Sequence, residues 1–166
     1  MLKKIIILAL VILPLGAFAQ KFGHINSQLI VQAMPEYAKA QTDMQALDKT
    51  YSDELKKIQD EYQKKLDEYQ KEQKTLPDNI KQRREQELTD IQTRMQQYYQ
   101  TSQQDMQKAS QEKMGAISDK ISKVIKEIGA AGGYVYIMDV ASGIPYISET
   151  LSTDITSAVK AKLGLK

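Results

Sequence analysis

From Glu36 to Thr75 the chain has no Gly and no Pro, and its apolar residues fall at Met44, Leu47, Tyr51, Leu55, Ile58, Tyr62, Leu66 and Tyr69. The steps are 3, 4, 4, 3, 4, 4, 3, an eleven-residue recurrence. A period of about 3.67 residues keeps one stripe in line along a nearly straight, slightly right-handed helix. The remaining positions are mostly Lys, Glu, Gln and Ala, which favour helix. One long helix is therefore expected over residues 36–75.

Leu76-Pro77-Asp78-Asn79 interrupts it, because a residue before proline is pushed out of the helical region while proline itself suits a first turn. A second stripe then runs through Leu88, Ile91, Met95, Tyr99, Ser102, Met106, Ser110, Lys113, Ile117, Ile121, Val124 and Ile128. Met95, Met106, Ile117 and Ile128 repeat the spacing of eleven. Helices of about 40 and 50 residues are about 60 to 75 Å long, and a short connection forces them antiparallel. The expected centre is a helical hairpin over residues 36–128 with its tip near 76–79.

The flanks follow other rules. Phe22 to Ile25 reads as a strand, followed by a short helix from Ser27 to Met34, capped by Asn26 and ended by Pro35. Gly129 to Gly133 is expected to end the second long helix, and Tyr134 to Met138 has the β-branched and aromatic content of a strand. Pro145-Tyr146-Ile147 is expected as a further short strand, and Asp154 to Lys162 as a terminal helix capped by Thr153 or Asp154. Residues 20–35 and 129–166 together are close to the size at which a lone core is marginal. Exposed sheet edges in so small a body invite pairing with other copies. Phe22, Ile25, Tyr134, Val135, Tyr136, Ile137 and Ile147 are the candidate residues of this oligomerisation body. The expected fold class is α+β, mainly α.

Residues 1–19 have the three parts of a secretory leader: Lys3 and Lys4, an apolar run from Ile5 to Leu13, and Ala17-Phe18-Ala19 before Gln20. Cleavage is expected after Ala19, and the apolar run is shorter than the roughly 20 residues a spanning helix needs. The formal charge of +2 resides in Lys3 and Lys4, so the processed chain is neutral. A neutral chain lacks the basic patch that nucleic acid requires, and none is expected as a partner.

Chemistry is sparse. There is no Cys and one His, so no thiolate site, imidazole cluster or disulfide framework is available. His24 reads as a packed or surface histidine, and Asp53-Glu54, Asp60-Glu61 and Asp67-Glu68 among Lys56, Lys57, Lys64 and Lys65 read as surface ion pairs. No phosphate loop is present, since Gly132-Gly133 precedes a strand. Neither an enzyme nor a cofactor or metal is expected. The seam is unusual in its Tyr and Met, where a tight coiled coil favours Leu, Ile and Val. Tyr has a polar tip on a large apolar body and Met is flexible, so both suit varied apolar partners. Tyr51, Tyr62, Tyr69, Met95, Tyr98, Tyr99, Met106 and Met114 are the candidates for binding another polypeptide, with Tyr98, Met114 and Ile125 just off the stripe.

The layout of leader, Lys21-Phe22-Gly23-His24-Ile25-Asn26, a short helix to Pro35, long charged arms, Tyr134 to Asp139 and Asp154-Ile155-Thr156 resembles the Skp/OmpH family of periplasmic chaperones. The resemblance implies a homotrimer whose subunits pool strands into a β body while helical tentacles enclose unfolded outer-membrane proteins without ATP. It implies a periplasmic location and only indirect membrane contact. Members of that family are often strongly basic, whereas residues 36–128 carry 17 basic and 18 acidic side chains. Apolar and Tyr/Met contacts then have to contribute more. The rival expectation is a structural envelope coiled coil, a spacer or adaptor docking one folded partner.

Overall fold

The computed structural model describes residues 20–165, so the expected leader lies outside the described residues. The elements are β1 (Lys21–Ile25), α1 (Ser27–Ala33), α2 (Pro35–Glu72), α3 (Asp78–Gly132), β2 (Tyr134–Asp139), a 3-10 turn (Val140–Ser142), β3 (Ser152–Asp154) and α4 (Thr156–Lys162). The mainly helical α+β class expected from the sequence is the one observed. Two compact units result, residues 31–122 and residues 20–30 with 123–165. The sequence places the change at Pro35 and Gly129, but the last turns of α3 belong with the strands. Glu127 pairs with Lys162 at 2.9 Å, and a Cβ on Gly129 would lie 3.2 Å from Ile137 Cδ1. No helix among the described residues is long and apolar enough to cross a membrane.

Residues 31–122 hold the hairpin. Met34 is extended at φ −78° and ψ 127°, which breaks α1 from α2, and Pro35 opens α2 where its missing N–H costs nothing. At the tip the Pro77 carbonyl accepts the N–H groups of Ile80 and Lys81, each at 3.0 Å, and so starts α3. Antiparallel pairing is seen in Glu36 with Lys120, Asp43 with Lys113, Glu61 with Arg94 and Lys65 with Glu87. Met34, Ala40, Ile58, Leu88, Ile91, Ile117 and Ile121 are the buried apolar side chains of this unit.

The second stripe is corrected in phase at its middle. Tyr98 and Ala109 are half-buried while Tyr99 and Ser110 are exposed, so the inward row runs Met95, Tyr98, Ser102, Met106, Ala109, Lys113. Spacing alone accepts 98 or 99 between Met95 and Ser102. The packing of Tyr98 edge-on to Tyr51, with ring centroids 6.0 Å apart, accompanies the first choice.

The other unit contains a three-stranded parallel sheet in the order β2-β1-β3, with Ile25, Ile30, Ile155 and Val159 buried. The strand expected at Pro145-Tyr146-Ile147 does not form; Pro145 has no N–H to give a ladder, and Ser152-Thr153-Asp154 takes the place beside β1. α3 also runs past Gly129 and stops only at Gly133, whose φ of +66° suits glycine. Asn26 caps α1 as expected, its Oδ1 accepting Leu29 N–H at 3.1 Å. α4 starts two residues later than expected, with Asp154 Oδ1 accepting Thr156 N–H at 2.8 Å.

Candidate functional site

The three seam tyrosines of α2 are committed to the hairpin. Tyr51 Oη donates to Asp105 at 3.0 Å, Tyr69 Oη donates to Glu85 at 2.5 Å, and Gln92 Nε2 donates to Tyr62 Oη at 2.7 Å. Loss of water and then the Asp105 carboxylate push the Tyr51 hydroxyl up from its ordinary value; at Tyr69 the bond to Glu85 comes first. These rings are half-buried with their polar ends held, as amphipathic aromatic side chains require. Met95 and Met106 are half-buried in the seam, Tyr98 packs on Tyr51, and only Tyr99 and Met114 of the candidate set are exposed. The candidate residues thus separate into a seam group and a surface group.

The grooves along the hairpin separate further. One side is charged: Glu36, Lys39, Asp43, Lys113 and Lys120 line a first groove, and Glu54, Lys57, Glu61 and Arg94 a second. Ion pairs occupy both. Lys113 and Lys39 hold Asp43 at 2.7 and 2.9 Å and keep its carboxyl below the usual range, and Lys120 does the same to Glu36. Lys57 lies 2.9 Å from Glu54, and Arg94 reaches Glu61.

The other side carries almost no charge. Its grooves, of about 450 and 420 Å³, are lined by Tyr37, Ala40, Gln41, Met44, Gln45, Ser110, Lys113 and Met114, and by Leu55, Gln59, Gln92, Met95, Gln96 and Tyr99. Lys113 is the one charged residue of these, and its Nζ is engaged by Asp43. Asp48, exposed, follows between the two grooves in the sequence.

A repeat of 18 residues underlies both sides. Glu36, Lys39, Ala40 and Asp43 recur as Glu54, Lys57, Ile58 and Glu61, while Tyr37 and Gln41 recur as Leu55 and Gln59. Eighteen residues make about five full turns, so each position returns to the same angle. The sequence reading, fixed on the apolar stripe, missed this repeat of surface residues; the Glu-x-x-Lys spacing was the signal that could have found it.

In the strand-bearing unit, Phe22 stacks on Tyr136 with centroids 4.7 Å apart, and Lys21 Nζ stands 4.3 Å from the Tyr134 ring centre. Ile25 is buried, Ile137 and Ile147 are half-buried, and Val135 and Tyr136 are 58% and 47% exposed. Tyr146 and Leu151, at 79% and 75%, add to the exposed apolar surface and rim a groove of about 310 Å³ with Phe22, Tyr136 and Met138. Sequence reasoning missed Leu151, which lies in a turn with no pattern to flag it. His24 Nδ1 meets Ser152 Oγ at 2.8 Å, tying β1 to β3. Among the described residues no group of three or more acidic or histidine side chains is placed to hold a metal.

The sequence matches the family described as OmpH: Outer membrane protein (OmpH-like) over residues 21–163. No curated protein matches it. A crystal structure from Caulobacter crescentus CB15, provisionally assigned as an outer membrane chaperone (OmpH-like), shares the fold with a TM-score of 0.73 at 14% identity, covering 87% of this chain and 83% of that one.

Proposed function

The chain belongs to the OmpH-like family, and from that premise we propose that it is an ATP-independent periplasmic holdase that binds unfolded outer-membrane proteins and prevents their aggregation. The observation that carries this reading is the pair of hairpin grooves lined by Gln, Tyr and Met without free charge. Weak contacts of this kind suit many sequences and none in particular. The leader, cleaved after Ala19, delivers the protein to the periplasm. No residue performs catalysis.

The strand-bearing unit is the oligomerisation body. Tyr136, Met138, Tyr146 and Leu151, exposed around one groove, leave more contiguous apolar surface than so small a unit gives to water without purpose, and Val135 is exposed as well. The outer edges of β2 and β3 add unpaired ladder groups. Copies of the chain cover both, giving a homotrimer. The test is light scattering of an unfolded outer-membrane barrel protein diluted from urea. Stoichiometric protein is expected to suppress its aggregation without nucleotide; a chain that is monomeric and indifferent to the unfolded barrel overturns the proposal and favours a spacer.

A further inference from the structure

We infer that the uncharged side of the hairpin holds a single extended segment of unfolded polypeptide, about eight to ten residues long with alternating apolar and polar side chains, laid along the helices across both grooves. This rests on the holdase reading and adds to it which surface takes the client and in what form.

The two grooves are near copies. Tyr37 and Gln41 of one stand where Leu55 and Gln59 stand in the other, and across the seam Met114 answers Gln96. A shift of 18 residues at 1.5 Å each places equivalent points about 27 Å apart. Extended chain rises about 3.3 Å per residue, so about eight residues span that distance. A membrane-spanning β-strand has about 9 to 11 residues and alternates in polarity, so its length and pattern match two apolar grooves with amides beside them.

The amides give the contact its tolerance of sequence. Each Gln offers two donors and an acceptor, and an extended chain carries free N–H and C=O groups whatever its side chains. A second hairpin is a poorer occupant, because its own helical backbone is already satisfied and its exposed apolar groups are separated by Gln. Charge points the same way: a strand with few ionised residues meets no unpaired ion in either groove and only the exposed Asp48 between them, whereas on the other side it would compete with formed ion pairs.

The test uses the full-length protein, two synthetic peptides and an unfolded eight-stranded outer-membrane barrel. One peptide has ten uncharged residues alternating Val or Tyr with Ser or Thr; the other is its five-residue half. The longer peptide is expected to bind at least tenfold more tightly. Gln41→Lys with Gln59→Lys is expected to weaken it at least tenfold, while Lys39→Gln with Lys57→Gln changes it less than twofold. Lys and Gln are comparable helix formers, and circular dichroism checks that each variant folds. A photocrosslinker at Gln41, Gln59 or Gln96 should capture the barrel, and one at Lys39 or Lys57 should not. Equal binding of both peptides, an unaffected Gln41/Gln59 double variant, or crosslinks to a second copy of this chain overturns the inference. If that double variant still suppresses aggregation fully, the inference fails and the holdase reading stands; if the unaltered protein suppresses none, both fail.

Discussion

The ring of Tyr134 fills the space that a side chain on Gly132 would need: a Cβ there would lie 2.5 Å from Tyr134 Cε2. Gly23 of β1 serves the same ring, with a Cβ position 3.0 Å from Tyr134 Cδ1. Two glycines distant in sequence thus make room for one aromatic at the start of β2. Gly132→Ala is expected to destabilise the protein by about 1–3 kcal/mol in urea unfolding, through overpacking. Gly115→Ala, with nothing within 4 Å of its Cβ position, should instead stabilise the helix by about 0.5–1 kcal/mol. Equal effects at both sites would refute the steric argument.

Asp139 joins the end of β2 to the start of α1. Burial pushes its carboxyl up, but bonds from Ser27 Oγ and N–H, from Ala141 N–H and from Ser142 outweigh this and hold it below the ordinary value. A lowered folded-state value contributes stability that is present above about pH 4 and lost as pH falls through the folded value. Asp139→Asn should therefore destabilise at pH 7 and matter progressively less below pH 4. Thermal melts of both proteins from pH 7 to pH 3 should converge; parallel curves would disprove it.

Tyr98 and Tyr99 are neighbours with opposite surroundings. Tyr98 packs on Tyr51, whereas Tyr99 is 54% exposed. Tyr98→Ala should cost on the order of 2 kcal/mol by loss of packing, and Tyr99→Ala less than about 0.5 kcal/mol. In aggregation assays the order should reverse, with Tyr99→Ala the weaker holdase per folded molecule.

Salt offers a separate check. Raising ionic strength from 0.1 to 1 M shortens the screening length from about 10 to 3 Å. Client retention by an uncharged surface should change less than twofold over that range, measured by light scattering. A tenfold loss would mean that the charged side holds the client.

Both long helices were legible because apolar spacing over tens of residues leaves few alternatives, and Asn26 and Pro35 mark α1 by local chemistry. The error at Tyr98 arose where two adjacent aromatics satisfy one period and only the partner helix chooses. β3 escaped notice because Ser152-Thr153-Asp154 has no apolar pattern and is a strand only through its pairing with β1. The seam tyrosines were legible as residues, but the partners of their hydroxyls were not, since Asp105, Gln92 and Glu85 lie on the other helix.

The central strand of the sheet is the first to be synthesised, and both of its neighbours come near the end: 128 residues separate His24 from Ser152. A nascent chain can zip its two rods together while β1 still waits unpaired. Closure of the sheet thus waits on the final turns of synthesis, and a product ending before Tyr134 would keep the rods but leave β1 with neither neighbour.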